Sequence, residues 1–381
     1  MQPRYSRLRS AKAVLEAHEA HCKQMGPLDI SACWSVLGRL ARREPAERNW
    51  LRSVLRRHPA ALQPLLDTTR RELPRFGARP AASTAHGLAS LADASGFGPS
   101  EEVWDGVAAA AGASLSECNS LELSTTVWAY ARVSRPAPAL FDSVAAESEP
   151  RIGSFSPQSL ANTAWAFAAA RHRAPSLLTA VAAESAPRLQ AFKPLELANL
   201  SWAYATARHA APSLLEAIAG EATPRLGQFN PQQLSCLAWS YAKAGHANAR
   251  LDAAVAAEAC ARRAAFGPHQ LSAIAWAYAS SGSAAAPQLL DGIAGEVTAR
   301  LSDFSPQHLA TATWAYGRAS GGRGGEAAPA VLDALAAEAA PRLPRFSARG
   351  LATIAMAFSR AGQPAPALLD ALAAEAAPRL R

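Results

Sequence analysis

The strongest constraint on this chain is that its sequence repeats itself. Trp128, Trp165, Trp202, Trp239, Trp276 and Trp314 are followed by Met356 in the same context, at spacings of 37, 37, 37, 37, 38 and 42 residues. Phe155, Phe192, Phe229, Phe266, Phe304 and Phe346 each lie ten residues before their Trp or Met, and Cys118 takes that place in the first copy. With the Phe as position 1, the unit reads F-x-P-Q-x-L-A-x-x-A-W-A-Y-A, a variable turn, then A-P-x-L-L-x-A-I-A-x-E-A-x-P-R-L. A fixed period of this length denotes a supersecondary unit that cannot bury its own apolar face and must stack on copies of itself.

Each unit contains two helix starts. Ser156-Pro157, Asn230-Pro231 and Ser305-Pro306 place a capping side chain before a Pro whose missing N–H costs nothing in the first turn. A second Pro (Pro138, Pro175, Pro212, Pro287, Pro329, Pro366) opens helix B. Much of the hydrophobic half of the composition is Ala, the strongest helix former, and strand-forming runs are scarce. The expected fold is therefore all-α: an α-solenoid of helical hairpins, coiled as a right-handed superhelix. The extra residues of the two longer units, including "GGRGG" at 321–325, fall between the Trp and the second Pro, as expected of a solvated connection.

On helix A, positions 6, 7, 10, 11, 13 and 14 are apolar and fill one arc, while 5, 8 and 12 fall opposite. The recurring Trp, with the Tyr or Phe at position 13, is read as an interlocking core residue in preference to a base-stacking one. On that reading Trp202→Ala would cost about 3–5 kcal/mol. The Arg of "PRL" follows a Glu by four in every unit, from Glu147/Arg151 to Glu375/Arg379, and is read as a structural ion pair near a helix C-terminus.

Three segments are expected: a basic N-terminal segment at 1–23, two degenerate helical repeats at 24–117, and seven helical-hairpin repeats at 118–381. The degenerate pair centres on Trp34 and on Phe76 with His86. Residues 1–79 carry 16 Lys+Arg against 7 Asp+Glu, and the rest 22 against 23, so the formal +8 belongs to the N-terminal fifth. Arg4, Arg7, Arg9 and Lys12 precede any acid, as in an organellar transit peptide. The sequence stops at "APRLR", just after a helix B and without a polar cap, as expected of a fragment or of an end that docks elsewhere. Five cysteines without a C-x-x-C pair argue against a zinc site or a disulfide framework. No apolar run reaches the ~18–20 residues of a membrane span. Phosphate-binding, zinc-protease and nucleophile-elbow motifs are absent from the sequence, so no enzyme activity, metal, cofactor or small-molecule substrate is expected.

The period and the S/N-P-Q-x-L-A-N-T-A-W-A-F/Y-A and x-A-P-x-L-L-x-A-I-A-x-E-A helices resemble the heptatricopeptide and octotricopeptide repeats. These occur in organellar RNA-binding proteins of algae and protists, and in FAST-kinase-like and RNA-editing substrate-binding proteins. The resemblance covers 118–381 strongly and 24–117 weakly. It implies an α-solenoid that binds single-stranded RNA selectively and supports organellar RNA processing, stability or translation, in a mitochondrion or plastid, alongside other RNA-processing proteins. Many members add a C-terminal RAP domain, and nothing in this sequence looks like one.

If the array reads RNA, the polar side of helix A is the expected face. Position 8 carries Ser83, Thr125, Asn162, Asn199, Cys236, Ala273, Thr311 and Thr353; position 5 carries Glu122, Ser159, Glu196, Gln233, Gln270, His308 and Gly350. These vary on a near-constant scaffold, and their amides and hydroxyls can pair with base edges, as in repeat proteins that read one base per repeat. Ala at position 12 (Ala129, Ala166, Ala203, Ala277, Ala315, Ala357) is expected to leave room for a base. Phosphate contacts are assigned to the A–B turns: Arg132, Arg135, Arg171, Arg173, Arg208, Lys243, Arg318, Arg323 and Arg360. The alternative is a protein-binding scaffold of the HEAT or armadillo type with no nucleic-acid role.

Overall fold

The computed structural model describes residues 5–320 and 326–380, so Arg323 lies outside the described residues. Among them are twenty α-helices and no strand. The chain divides into two bodies, Met1–Arg188 and Leu189–Arg381. The division falls inside the array of seven repeats.

The first body opens with α1 (Ala11–His21), α2 (Pro27–Arg43), α3 (Pro45–Arg57), α4 (Gln63–Glu72), α5 (Ala78–Ser95) and α6 (Glu101–Ala113). It continues with α7 (Ser120–Arg132), α8 (Pro138–Ser148), α9 (Pro157–Ala169) and α10 (Pro175–Ser185). The A helices α2, α5, α7 and α9 lie side by side in one layer, and α4, α6, α8 and α10 supply the B layer. One helix was not expected: α3 lies between the A and B helices of the first degenerate repeat and packs on α2 and α5. The basic N-terminal segment is also not a free arm over α1. Ala11 and Val14 are fully buried, the Ala11 amide donates to Glu47 Oε2 at 2.7 Å, and buried His18 Nε2 lies 2.9 Å from Thr68 Oγ1. Helices α2 and α5 touch backbone to backbone: a Cβ on Gly87 would lie 2.4 Å from the Trp34 carbonyl carbon.

The second body contains five hairpins: α11 (Pro194–Ala207) with α12 (Pro212–Ala222), α13 (Pro231–Ala244) with α14 (Ala249–Ala261), and α15 (Pro268–Ser281) with α16 (Ala286–Ala299). Next come α17 (Pro306–Ser320) with α18 (Ala328–Ala339), and α19 (Ala348–Ala361) with α20 (Pro366–Ala376). The A helices again form one closely packed layer and the B helices a second.

Two recurrent clips hold the hairpins. The Arg of "PRL" bonds both its Glu and the carbonyl of its own repeat's position 1. Arg225 donates to Glu221 Oε1 at 2.8 Å and to the Phe192 carbonyl at 2.7 Å; Arg188, in the first body, donates to Glu184 and the Phe155 carbonyl. The second clip is the position 13 phenol, which reaches back to a helix B carbonyl of the preceding repeat. Tyr130 bonds Trp104 O at 2.6 Å, Tyr278 bonds Asp252 O at 2.6 Å and Tyr316 bonds Leu290 O at 3.0 Å. The position 1 Phe rings are buried at every repeat that has one.

The Trp lies at the edge of this core, not at its centre. Trp128, Trp165, Trp202, Trp239, Trp276 and Trp314 are only half-buried, and Met356 is 61% exposed. The Ala at position 12 is buried instead, at 0–3% exposure, so it leaves no room for a base. The reason is that helix A has neighbours on three sides rather than one. Position 13 reaches the B layer, position 14 meets the next helix A, and position 5 of α15 (Gln270) reaches Gln232 of the previous one. Positions 6 and 10 are buried throughout the described repeats apart from Ala355. A Cβ on Gly317, at position 14, would lie 2.7 Å from the carbonyl of Ala357, which is position 12 of the next repeat. Positions 4, 8, 11 and 15 make up the face open to solvent in every repeat, with position 5 partly exposed at its margin in five of the seven.

Candidate nucleic-acid interface

The open wedge follows from helical spacing: steps of four, three and four residues return to one face. Position 4 is exposed in all seven repeats, as Leu121, Gln158, Leu195, Gln232, His269, Gln307 and Arg349. Positions 8 and 11 are partly exposed, apart from the more exposed Met356, and position 15 ends the stripe with Arg132, Lys243, Arg318 and Arg360 among others. No Asp or Glu occupies any of these four positions in any repeat. Each body therefore carries an acid-free stripe along its A helices, although the chain from residue 80 onward is nearly neutral.

Of the base-reading candidates, position 8 lies on this stripe and position 5 does not. Four of the position 5 side chains close their own helices. Glu122 accepts from the Asn119 amide at 2.9 Å, Glu196 from Lys193 at 2.8 Å, Gln233 from Asn230 at 2.9 Å and Gln270 from Gly267 at 3.1 Å. Ser159 is fully buried beside Ser156, and the amide of His308 donates to Ser305 Oγ at 3.2 Å. These are N-terminal capping contacts, which remove orphan donors of the first turn. Gln270 spends its amide on Gln232 Oε1 at 2.6 Å, and burial, then His269, lowers the His308 pKa. Glu122, Glu196, Gln233 and Gln270 are therefore reassigned from reading bases to holding the helix ends, and Ser159 and His308 are withdrawn because Ser159 is buried and the Nδ1 of His308 is turned away from solvent.

At position 8 the residues differ. The Asn162 and Asn199 carboxamides are half-exposed and have no hydrogen bond to protein among the described residues. Thr311 and Thr353 donate to carbonyls one turn back, at 2.9 and 2.7 Å, and keep an acceptor free. Cys236 is excluded: its thiol points 3.6 Å from the Ala198 carbonyl of the preceding helix A, and burial pushes its pKa up to about 11. Thr125 and Ser83 are half-exposed on the stripe of the first body.

The cations separate into two groups. Arg132 is held by both oxygens of Asp93 at 2.8 Å, and Arg135 by Glu101 at 2.8 Å and Asp105 at 3.1 Å, so both are already neutralised. Arg171, Arg173, Arg208, Lys243 and Arg360 are exposed and free of ion pairs among the described residues. Arg318 donates through Nε to the Ala279 carbonyl at 2.7 Å, with its guanidinium 5.5 Å over the Trp314 ring. Arg171 and Arg208 adopt left-handed backbone, at φ 55° and 53°, where sister repeats place Gly245, Gly282 and Gly362. Clefts form between successive turns. One of about 470 Å³ is bordered by Arg135, Arg171 and His172, and one of about 370 Å³ by Ser283, Arg318 and Arg360.

Sequence reasoning missed position 4 and misplaced position 11. The signal was available, because 4, 8, 11 and 15 follow helical spacing and none of them ever carries an acid. Within each body the indoles form a row. Trp128 and Trp165 have ring centroids 6.3 Å apart with 36° between planes, Trp239 and Trp276 6.3 Å and 33°, and Trp276 and Trp314 6.0 Å and 31°. His86, at the equivalent place, lies 5.3 Å from Trp128. No group of three or more His, Cys, Asp or Glu side chains among the described residues could hold a metal ion. No described helix is long and apolar enough to cross a membrane.

Fold and repeat together define an α-solenoid of tandem helical hairpins. No protein-family model and no curated protein matches the chain. Among solved structures, a chain from a homology model of the full-length AP-3 complex in an intermediate open conformation aligns with 96% of this chain and 86% of its own length. Its identity is 12% and its TM-score 0.21, a likeness too distant to bear on function.

Proposed function

We propose that this protein binds single-stranded RNA along the A-helix stripe of each body, selecting sequence at about one nucleotide per repeat through position 8. The observation that carries this is the pairing of an acid-free stripe with carboxamides, at Asn162 and Asn199, that the protein itself leaves unused. Such amides supply both a donor and an acceptor to a base edge. Phosphates would be met by Arg171, Arg318 and Arg360 beside the clefts between turns, and by the exposed Arg173, Arg208 and Lys243. Retaining Arg at two left-handed positions that other repeats give to Gly supports a demand for charge there, since a side chain in that conformation costs stability. A role in RNA processing, stability or translation in a mitochondrion or plastid rests on the resemblance of the repeat unit to heptatricopeptide and octotricopeptide repeats.

Selection of bound sequences from a random RNA pool tests this reading. Asn162→Ser and Asn199→Ser are each expected to change the preference at one nucleotide of the selected motif. An unchanged motif would eliminate reading by position 8. A protein-binding scaffold would retain no single strand at physiological salt.

A further inference from the structure

We infer that the row of indoles at position 11 is a stacking platform, on which unpaired nucleobases lie one per repeat. This rests on the reading that single-stranded RNA is the ligand, and adds to it the surface that contributes affinity without regard to sequence. The chain shows elsewhere how it uses Trp for packing. Trp34 is fully buried with its N–H on Thr69 Oγ1 at 2.9 Å, and Trp104 is 4% exposed. All six position 11 indoles differ in exposure, and four of them also in having no N–H partner among the described residues. They are half-exposed, and the N–H groups of Trp128, Trp239, Trp276 and Trp314 donate to no protein group among the described residues. Burial within each hairpin is done by positions 6, 10 and 13, so the same large ring at position 11 of six repeats is not required by the core.

The row's geometry suits a polynucleotide. Centroid separations of 6.0–6.3 Å with tilts of 31–36° keep neighbouring rings from lying flat on one another, and each indole stays partly exposed. An advance of 6.0–6.3 Å per repeat exceeds the ~3.4 Å rise per nucleotide of a stacked strand, so a strand following the row is unstacked, with a base available to each indole. A ligand met by the same ring at each repeat must itself repeat, and every nucleotide carries a π face whatever its base. One turn further along helix A, position 15 supplies Lys243, Arg318 and Arg360 for the phosphates, and no carboxylate occupies the stripe.

The test uses the full chain and two labelled strands of about fifteen nucleotides: a random-sequence single-stranded RNA, and a ribose-phosphate strand of the same length without bases. The unaltered protein is expected to prefer the base-bearing strand by at least about 10-fold. The combined Trp239→Leu, Trp276→Leu and Trp314→Leu variant should lose most of that preference while keeping its affinity for the abasic strand. The matching Phe variant, which retains a smaller ring, should keep part of it. If circular dichroism shows the triple Leu variant to be unfolded, Trp276→Leu alone is decisive, with an expected loss of roughly 5-fold or more on the base-bearing strand. Equal binding of both strands by the unaltered protein, or an undiminished preference in a folded Leu variant, overturns the platform and leaves RNA binding standing. Failure to bind either strand overturns the RNA reading itself, and the platform with it.

Discussion

Trp276 and Tyr278 are two residues apart on one helix, and replacing each by Ala separates a surface aromatic from a core one. Tyr278 is 3% exposed and its hydroxyl bonds the Asp252 carbonyl at 2.6 Å, across the joint between repeats. Full truncation of a buried aromatic costs about 3–5 kcal/mol, so Tyr278→Ala belongs in that range. Tyr278→Phe keeps the packing and removes one buried hydrogen bond, for about 0.5–1.5 kcal/mol. Trp276 is larger but only partly buried, and its N–H has no protein partner among the described residues. Part of its ring stays in solvent in the folded state, so its truncation should cost less than that of Tyr278, about 2–3 kcal/mol. Urea unfolding followed by circular dichroism at 222 nm measures all three, because stacked repeats that share their interfaces unfold together. The expected order is Tyr278→Ala, then Trp276→Ala, then Tyr278→Phe. A Trp276→Ala cost equal to or above that of Tyr278→Ala would refute the reasoning and return the indole to the core.

Arg208→Gly relieves a left-handed side chain at φ 53°, so stability should rise by up to about 1 kcal/mol while RNA affinity falls; a drop in stability would contradict this account. Arg225→Met removes the clip to Glu221 and the Phe192 carbonyl and should cost about 1–2 kcal/mol in urea, with no effect on the abasic-strand affinity. Burial raises the phenol pKa of Tyr130, Tyr204, Tyr241, Tyr278 and Tyr316 above the ordinary 10.0, so the folded state holds protons that the unfolded chain releases. Stability is then intact below pH 10 and falls above it, by up to about 1.4 kcal/mol per pH unit per phenol; a flat urea midpoint between pH 9 and 11 would contradict the burial. RNA affinity should weaken with a slope of roughly −0.7 in log K against log[salt] for each phosphate contact, which filter binding over a salt series measures.

The fold was legible because the period and the Pro-capped starts are local features, and local features set where helices begin. Phe192 and Tyr278 were readable as core for the same reason. Position 11 was misread because one hydrophobic arc was assumed to mean one interface, and Trp was counted as apolar without asking which neighbour it would meet. Helix A has three such neighbours, and they consume the Ala positions rather than the indole. Position 5 was misread because its capping role competes with any ligand: Asn119 with Glu122 and Asn230 with Gln233 already spelled that contact in sequence. Helix α3 was missed because its repeat has diverged too far for periodicity to count its helices. Pairing of Arg132 with Asp93 joins residues 39 apart, and no local pattern announces it.

The Arg clips and the Tyr clips both lie away from the open wedge. What holds a hairpin upright and what it shows to the outside are thus written in different letters of the same unit. Such an alphabet can be respelled one letter at a time without loosening the binding of the book, and a new page can be inserted between two old ones.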